Sequence, residues 1–196
     1  MLYLYLVRHG QSVGNEKKLF FGRSNHPLTQ LGREQAKQAG EKLKGVSFTR
    51  CVASDLARAW ETALICLEGR GIVPEACPGL REQDMGLFED CTWEQAQAGH
   101  GDLVMRLVTD WFHTTPPEGE GPEEMARRVG ACVEDILRRR EDTLVVAHNG
   151  SLSLILKHLG LAGEEELFRP GYFFGHGAYS AIEIQDGKVE LKWFNL

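Results

Sequence analysis

Two short apolar runs, LYLYLV at residues 2–7 and TLVVAH at 143–148, constrain this chain more than any other feature. Each is nearly continuous in apolar and β-favouring residues, the pattern of a strand covered on both faces. The segments between them alternate in kind. PLTQLGREQAKQAGEKLKG places Leu31, Ala36, Ala39 and Leu43 near helical spacing, with Thr29 as N-cap and Gly45 as stop. FTRCVAS (48–54) reads as a second strand, and DLARAWETALICLEG (55–69) as a helix with Asp55 at its positive end. GIVPEA (71–76) is a short third strand, and 78–122 is irregular to helical, ending in a loop at TTPPEGEGP. Apolar positions 125, 129, 132, 133, 136 and 137 predict an amphipathic helix over 123–140, and SLSLILKHLG (151–160) a further one. AYSAIEIQDGKVELKWF alternates around Asp186-Gly187, a hairpin pattern. No repeat or linker interrupts the chain, so residues 1–196 are expected to form one domain, an α/β sandwich with a mostly parallel sheet.

Composition narrows the partners. A net charge of −6 argues against nucleic acid, which selects a basic footprint, so positive charge for an anionic ligand must be local. No apolar run approaches the ~18 residues of a membrane span. Five scattered cysteines without a CxxC pair read as reduced thiols, and the N-terminus lacks a signal-peptide pattern, so a cytoplasmic protein is expected. Oligomeric state leaves no mark in the sequence.

In a mostly parallel sheet, ligands bind at the carboxyl ends of the strands. One strand end delivers Arg8-His9-Gly10, a second Ser54-Asp55 with Arg58 one turn on, and a third His148-Asn149-Gly150. Two arginines and a histidine suit the oxygens of a phosphate without a metal. A neutral imidazole can attack phosphorus once its other nitrogen donates a hydrogen bond. Gly10 would let the loop backbone approach a ligand. The leaving oxygen needs a proton donor; Glu82 in LREQDMG is the candidate, with Asp84 and Glu89 as rivals.

LVRHGQS, Asn15, PLTQLGREQA, SDLARAWETA, LREQDMG and VVAHNGSL together resemble the histidine phosphatase, or phosphoglycerate-mutase-like, superfamily over roughly residues 4 to 155. The resemblance implies a three-layer α/β/α sandwich and a phosphomonoesterase. It implies His9 as the phosphorylated nucleophile, Arg8, Arg58 and His148 as the phosphate pocket, and Asn15 as a further phosphate contact. Glu82 would be the acid and later the base, and Asn149 is added as a substrate contact beside His148. It calls for no metal and no other cofactor, and for a small-molecule phosphomonoester as partner. GREQA, GEG at 119–121 and YSAIEI are similar to the α-ribazole phosphatase subgroup. A mutase, a broad sugar-phosphate phosphatase and a non-catalytic phospho-ligand module are the alternatives. Fewer than seventy positions separate Glu82 from His148, shorter than is usual for the mutases, and Phe21 stands where mutases place a threonine or serine. His26, His100, His113, His158 and His176 lack metal-ligand spacing and are read as incidental. Loops 100–122 and 169–178 are expected to select the alcohol, while GYFFGHG (171–177) reads as packing and turns.

Overall fold

Along β1 (Leu2–Arg8) successive side chains face opposite layers, as the period of a strand requires. Leu4 and Leu6 pack with Met125, Val129, Val133, Leu152 and Ile155, whereas Tyr5 and Val7 pack with Ala39, Leu43, Ala59 and Ala63. A strand buried on both faces needs helices on both faces, and the computed structural model, which describes residues 1–167 and 172–196, has them. The other strands are β2 (Arg50–Ala53), β3 (Glu75–Ala76), β4 (Thr143–Ala147), β5 (Tyr179–Gln185) and β6 (Lys188–Trp193). Among the described residues they form one sheet in the order β3–β2–β4–β1–β5–β6. The first four are parallel; β5 runs antiparallel to β1, and β6 to β5. The fold is the expected three-layer α/β/α sandwich.

The helices are α1 (Val13–Glu16), α2 (Gln30–Lys42), α3 (Ala57–Cys66), α4 (Trp93–Thr109), α5 (Pro122–Arg139) and α6 (Asn149–His158). The Thr29 side chain caps α2 by accepting from the Gly32 amide at 3.0 Å. Met125, Val129, Val133 and Ile136 form the buried stripe of α5. Burial of each such side chain stabilises the fold by about 1.5–3 kcal/mol. Asp186 and Gly187 both take positive φ (51° and 77°), the tight turn that joins β5 to β6.

Two expectations need correction and a third gains detail. The third strand is only Glu75–Ala76, because Pro74 cannot donate to a ladder. The helix expected from Asp55 starts at Ala57 with Leu56 as N-cap, and Asp55 instead holds the Arg81 guanidinium through both oxygens. Within 78–122 lies the 17-residue α4, bent where His100 leaves helical geometry (φ −145°, ψ 37°). Among the described residues no helix is long and apolar enough to cross a membrane.

Candidate active site

The parallel topology brings the carboxyl ends of β1, β2 and β4 side by side. His9, Ser54 and His148 follow those strands directly, held in ladder register by the bonds His9 N–Ala147 O (3.0 Å) and Ser54 N–Val146 O (2.9 Å). The His9 and His148 rings lie with centroids 5.0 Å apart, both buried. His9 Nδ1 is 2.7 Å from the Gly10 carbonyl. A carbonyl can only accept, so Nδ1 carries the proton and Nε2 keeps its lone pair. Arg58 Nε–H points at that lone pair from 3.3 Å. Burial, then Arg58 and Arg8, hold His9 well below its ordinary pKa of 6.5, so the neutral, nucleophilic form prevails at neutral pH.

Arg58, buried at the start of α3, is aimed by backbone. Its terminal nitrogens donate to the Ser24 carbonyl (2.9 Å) and the Gly22 carbonyl (2.7 Å), and its guanidinium lies 4.8 Å from the centre of the Phe21 ring. The 22–24 loop is in turn gathered by Glu89. Its carboxylate accepts from the amides of Gly22, Arg23, Ser24 and Met85 at 2.8–3.0 Å. Burial alone would push the Glu89 carboxyl up, but hydrogen bonds from Ser24 and from these amides outweigh it and hold it below the usual range. Arg8 donates to the Phe174 carbonyl at 2.7 Å. Burial lowers Arg8 and Arg58 to about 10 while the Glu82 carboxylate opposes the shift, so both stay charged at neutral pH.

His148 Nε2 meets Ser54 Oγ at 2.8 Å. Its Nδ1 is buried with no protein partner, and so is Arg8 Nε. Such groups are rare in folded proteins and ask for a ligand. Burial first, then Arg58, His9 and Arg8, hold His148 well below 6.5.

Glu82 stands on the loop after β3, its Oε2 accepting the Gly150 amide (3.0 Å) at the start of α6 and its Oε1 the Gln83 amide (3.2 Å). A side chain at Gly150 would overlap this carboxylate, which is why a glycine follows His148-Asn149. Asp84 caps the Gly86 amide (2.9 Å) and Glu89 binds the 22–24 loop, so both rivals of Glu82 have structural partners elsewhere. Arg128 of α5 braces the acid loop by donating to the carbonyls of Gly79 (2.8 Å), Arg81 (2.6 Å) and Glu82 (3.0 Å). Sequence reading missed this brace; an arginine on the polar side of an amphipathic helix carries no signal of its target.

Other expected residues take more specific places. Asn15 accepts from the Ser12 amide (3.0 Å) and hydroxyl (2.9 Å), closing α1 onto the loop after His9. Asn149 accepts the Phe174 amide (3.0 Å), and so ties α6 to the segment that also holds Arg8. The space at Gly10 is taken by the Gly32 carbonyl of α2, so that glycine serves close packing of protein on protein. His176, read as incidental, packs its ring 5.5 Å from His9 and donates through Nδ1 to the His9 carbonyl at 3.1 Å. Burial and Arg8 lower it to about 4. Of loop 169–178, positions 169–171 lie outside the described residues.

Beside Glu82 and Asn149 opens a cavity of about 180 Å³ whose walls are largely apolar: Phe20, Phe21, Met85, Leu107 and Trp111. Trp111 is fixed by donating from Nε1 to Gln83 Oε1 at 2.7 Å.

Residues 4–196 match the histidine phosphatase superfamily (branch 1). The chain belongs to this superfamily. It is an enzyme of the phosphomonoester-hydrolysing class. It is similar to the adenosylcobalamin/alpha-ribazole phosphatase of Salmonella typhimurium, at 34% identity over 98% of this chain and 95% of that one. A probable phosphoglycerate mutase of Erwinia tasmaniensis is 32% identical over 85% of this chain and 79% of its own. In structure it matches the alpha-ribazole phosphatase from Shigella flexneri with a TM-score of 0.90 and 29% identity, covering 100% and 96% of the two chains.

Proposed function

We propose that this histidine phosphatase works through a phosphohistidine at His9 and that its substrate is α-ribazole 5′-phosphate. The observation that carries the mechanism is the His9 imidazole. Its proton sits on Nδ1, and its Nε2 lone pair faces Arg58 beside the partnerless Arg8 Nε and His148 Nδ1. A phosphoryl oxygen entering there takes the Arg58 donor and leaves the lone pair for phosphorus. Arg8, Arg58 and His148 then bind the equatorial oxygens, and the preorganised positive charge of the two arginines stabilises the transferring group. As the His9 Nε2–P bond forms, the P–O bond breaks and the Glu82 carboxyl gives its proton to the departing alkoxide. In the second half the Glu82 carboxylate takes a proton from water, whose oxygen attacks phosphorus and releases His9. Asn15 shapes the pocket through its tie to Ser12 and offers its amide to the phosphate; Asn149 lines the way to the alcohol.

Two observations support the alcohol. The Salmonella and Shigella relatives carry that name, and the cavity beside Glu82 offers a flat alcohol aromatic and aliphatic walls. Glu82 is the one charged residue among its described walls, which suits a neutral heterocycle better than the second anion of a phosphoglycerate. The five free thiols accord with a reducing, cytoplasmic setting.

Rapid quench with radiolabelled substrate tests the mechanism. An acid-labile, base-stable phosphoprotein is expected and should vanish in His9→Ala, with turnover down by roughly 10⁴-fold or more. Undiminished hydrolysis by His9→Ala would refute it.

A further inference from the structure

Away from the site, Cys77 and Cys132 meet with their sulfurs 2.9 Å apart. Cys77 follows β3 and Cys132 lies in α5. Both are partly exposed, at a surface cleft of about 280 Å³ that also includes Arg50, Glu75 and Asp135. Gly79 makes the approach possible, since a Cβ there would overlap the Cys132 sulfur. We propose that Cys77 and Cys132 form a reversible dithiol–disulfide site that reacts with low-molecular-weight disulfides.

The chemistry follows thiol–disulfide exchange. The Cys77 thiol loses its proton to solvent, and the thiolate attacks one sulfur of the small disulfide. A mixed disulfide forms at Cys77 and one small thiolate departs. Cys132, deprotonated in turn, attacks the Cys77 sulfur; the intramolecular bond forms and the second small thiolate leaves. The protein loses two hydrogens and two electrons, and the small disulfide becomes two thiols. The two cysteines differ in the sense this order needs. The Cys132 thiol beside it, with the amides of Gly79 and Leu80, holds the Cys77 thiol below its ordinary value, while Cys132 is raised. Cys51 and Cys66 are inert by comparison: both are buried, and burial raises both thiols, Cys66 to about 12. The Cys91 sulfur donates to the Leu87 carbonyl, away from this pair. Cys77 lies five positions before Glu82, and Cys132 one turn beyond Arg128, so the bond ties together the two segments that Arg128 already bridges near the proton donor.

The native protein is exposed to oxidised glutathione, its remaining thiols are alkylated, and intact mass and peptide maps are read. The expected product has lost two hydrogens, carries no glutathione at either position, and yields a Cys77 peptide linked to the Cys132 peptide. Dithiothreitol restores the starting mass. In Cys77→Ser and Cys132→Ser the remaining thiol of the pair should retain glutathione, because its resolving partner is gone. A wild-type product that keeps glutathione on Cys77 beside free Cys132, a link from either to Cys91, or no reaction at the pair would overturn the proposal.

Discussion

On the floor of the site the charged and titratable side chains are aimed by backbone. Arg58 is held by two carbonyls, Arg8 by a third, and His9 by the carbonyl of its own neighbour. The walls above it are built from long apolar side chains contributed by the 20–21 segment, the acid loop, α4 and the turn Trp111–His113. A phosphoryl group has one shape and charge, so a rigid polar cradle can be organised for it in advance of binding. An alcohol recognised by apolar area makes weaker demands on geometry, and its walls can vary without disturbing the cradle. Glu82 stands where the two regions meet: its carboxylate is tied to α6 through Gly150, its backbone to α5 through Arg128.

If that division holds, substitutions in the two regions must fail differently. Of the substitutions that separate the two regions, Glu82→Gln, at the boundary, carries the largest expected effect: a loss of roughly 10²–10⁴-fold on alkyl phosphates. An aryl phosphate, whose leaving group barely needs a proton, should lose much less. Equal losses on both substrates would remove Glu82 from the role of acid. In the walls, Trp111→Ala should lower kcat/KM for α-ribazole 5′-phosphate by roughly 5- to 160-fold, the value of about 1–3 kcal/mol of aromatic contact. Hydrolysis of a small alkyl phosphate should be unchanged, since the floor is intact; a uniform loss on both would show that the regions are not separable.

The smallest effect is one of stability and belongs to the floor alone. His9 and His148 are held well below 6.5 in the fold by burial and by the arginines, whereas the unfolded chain titrates near the ordinary value. Between these values the unfolded state binds more protons, so stability present above about pH 6.5 is lost as pH falls through that window. Each imidazole contributes a slope of up to about 1.4 kcal/mol per pH unit. Thermal melts from about pH 7 to about pH 5 should therefore fall more steeply for the wild type than for His148→Asn. Parallel curves would contradict the buried neutral state of His148.

The floor was also the part most legible in the sequence. A strand buried on both faces announces itself by composition, and in a parallel sheet its end announces a site, so His9, Arg58 and His148 could be placed together before any coordinate. The rival carboxylates could not be separated that way. Glu82, Asp84 and Glu89 lie within eight residues, and only the fold shows one of them meeting α6 while Glu89 collects the amides that position Arg58. His176 escaped because its contact with His9 spans most of the chain and follows from the antiparallel return of β5 alongside β1. The walls were legible only in part: Leu107 and Trp111 fall within 100–122, the stretch expected to select the alcohol, but residues 20–21, 82–85 and 149–150 join them without sharing a pattern.

By itself, then, the order of apolar and polar residues determined the layers, the strands and the residue types delivered at their ends, since these depend on local periodicity and on residue type. Which carboxylate meets α6, what braces its loop, which apolar side chains line the neighbouring cavity and which thiols touch was decided only by tertiary structure. Those contacts join segments distant in the chain, and their distances arise from packing, which no short stretch of sequence encodes.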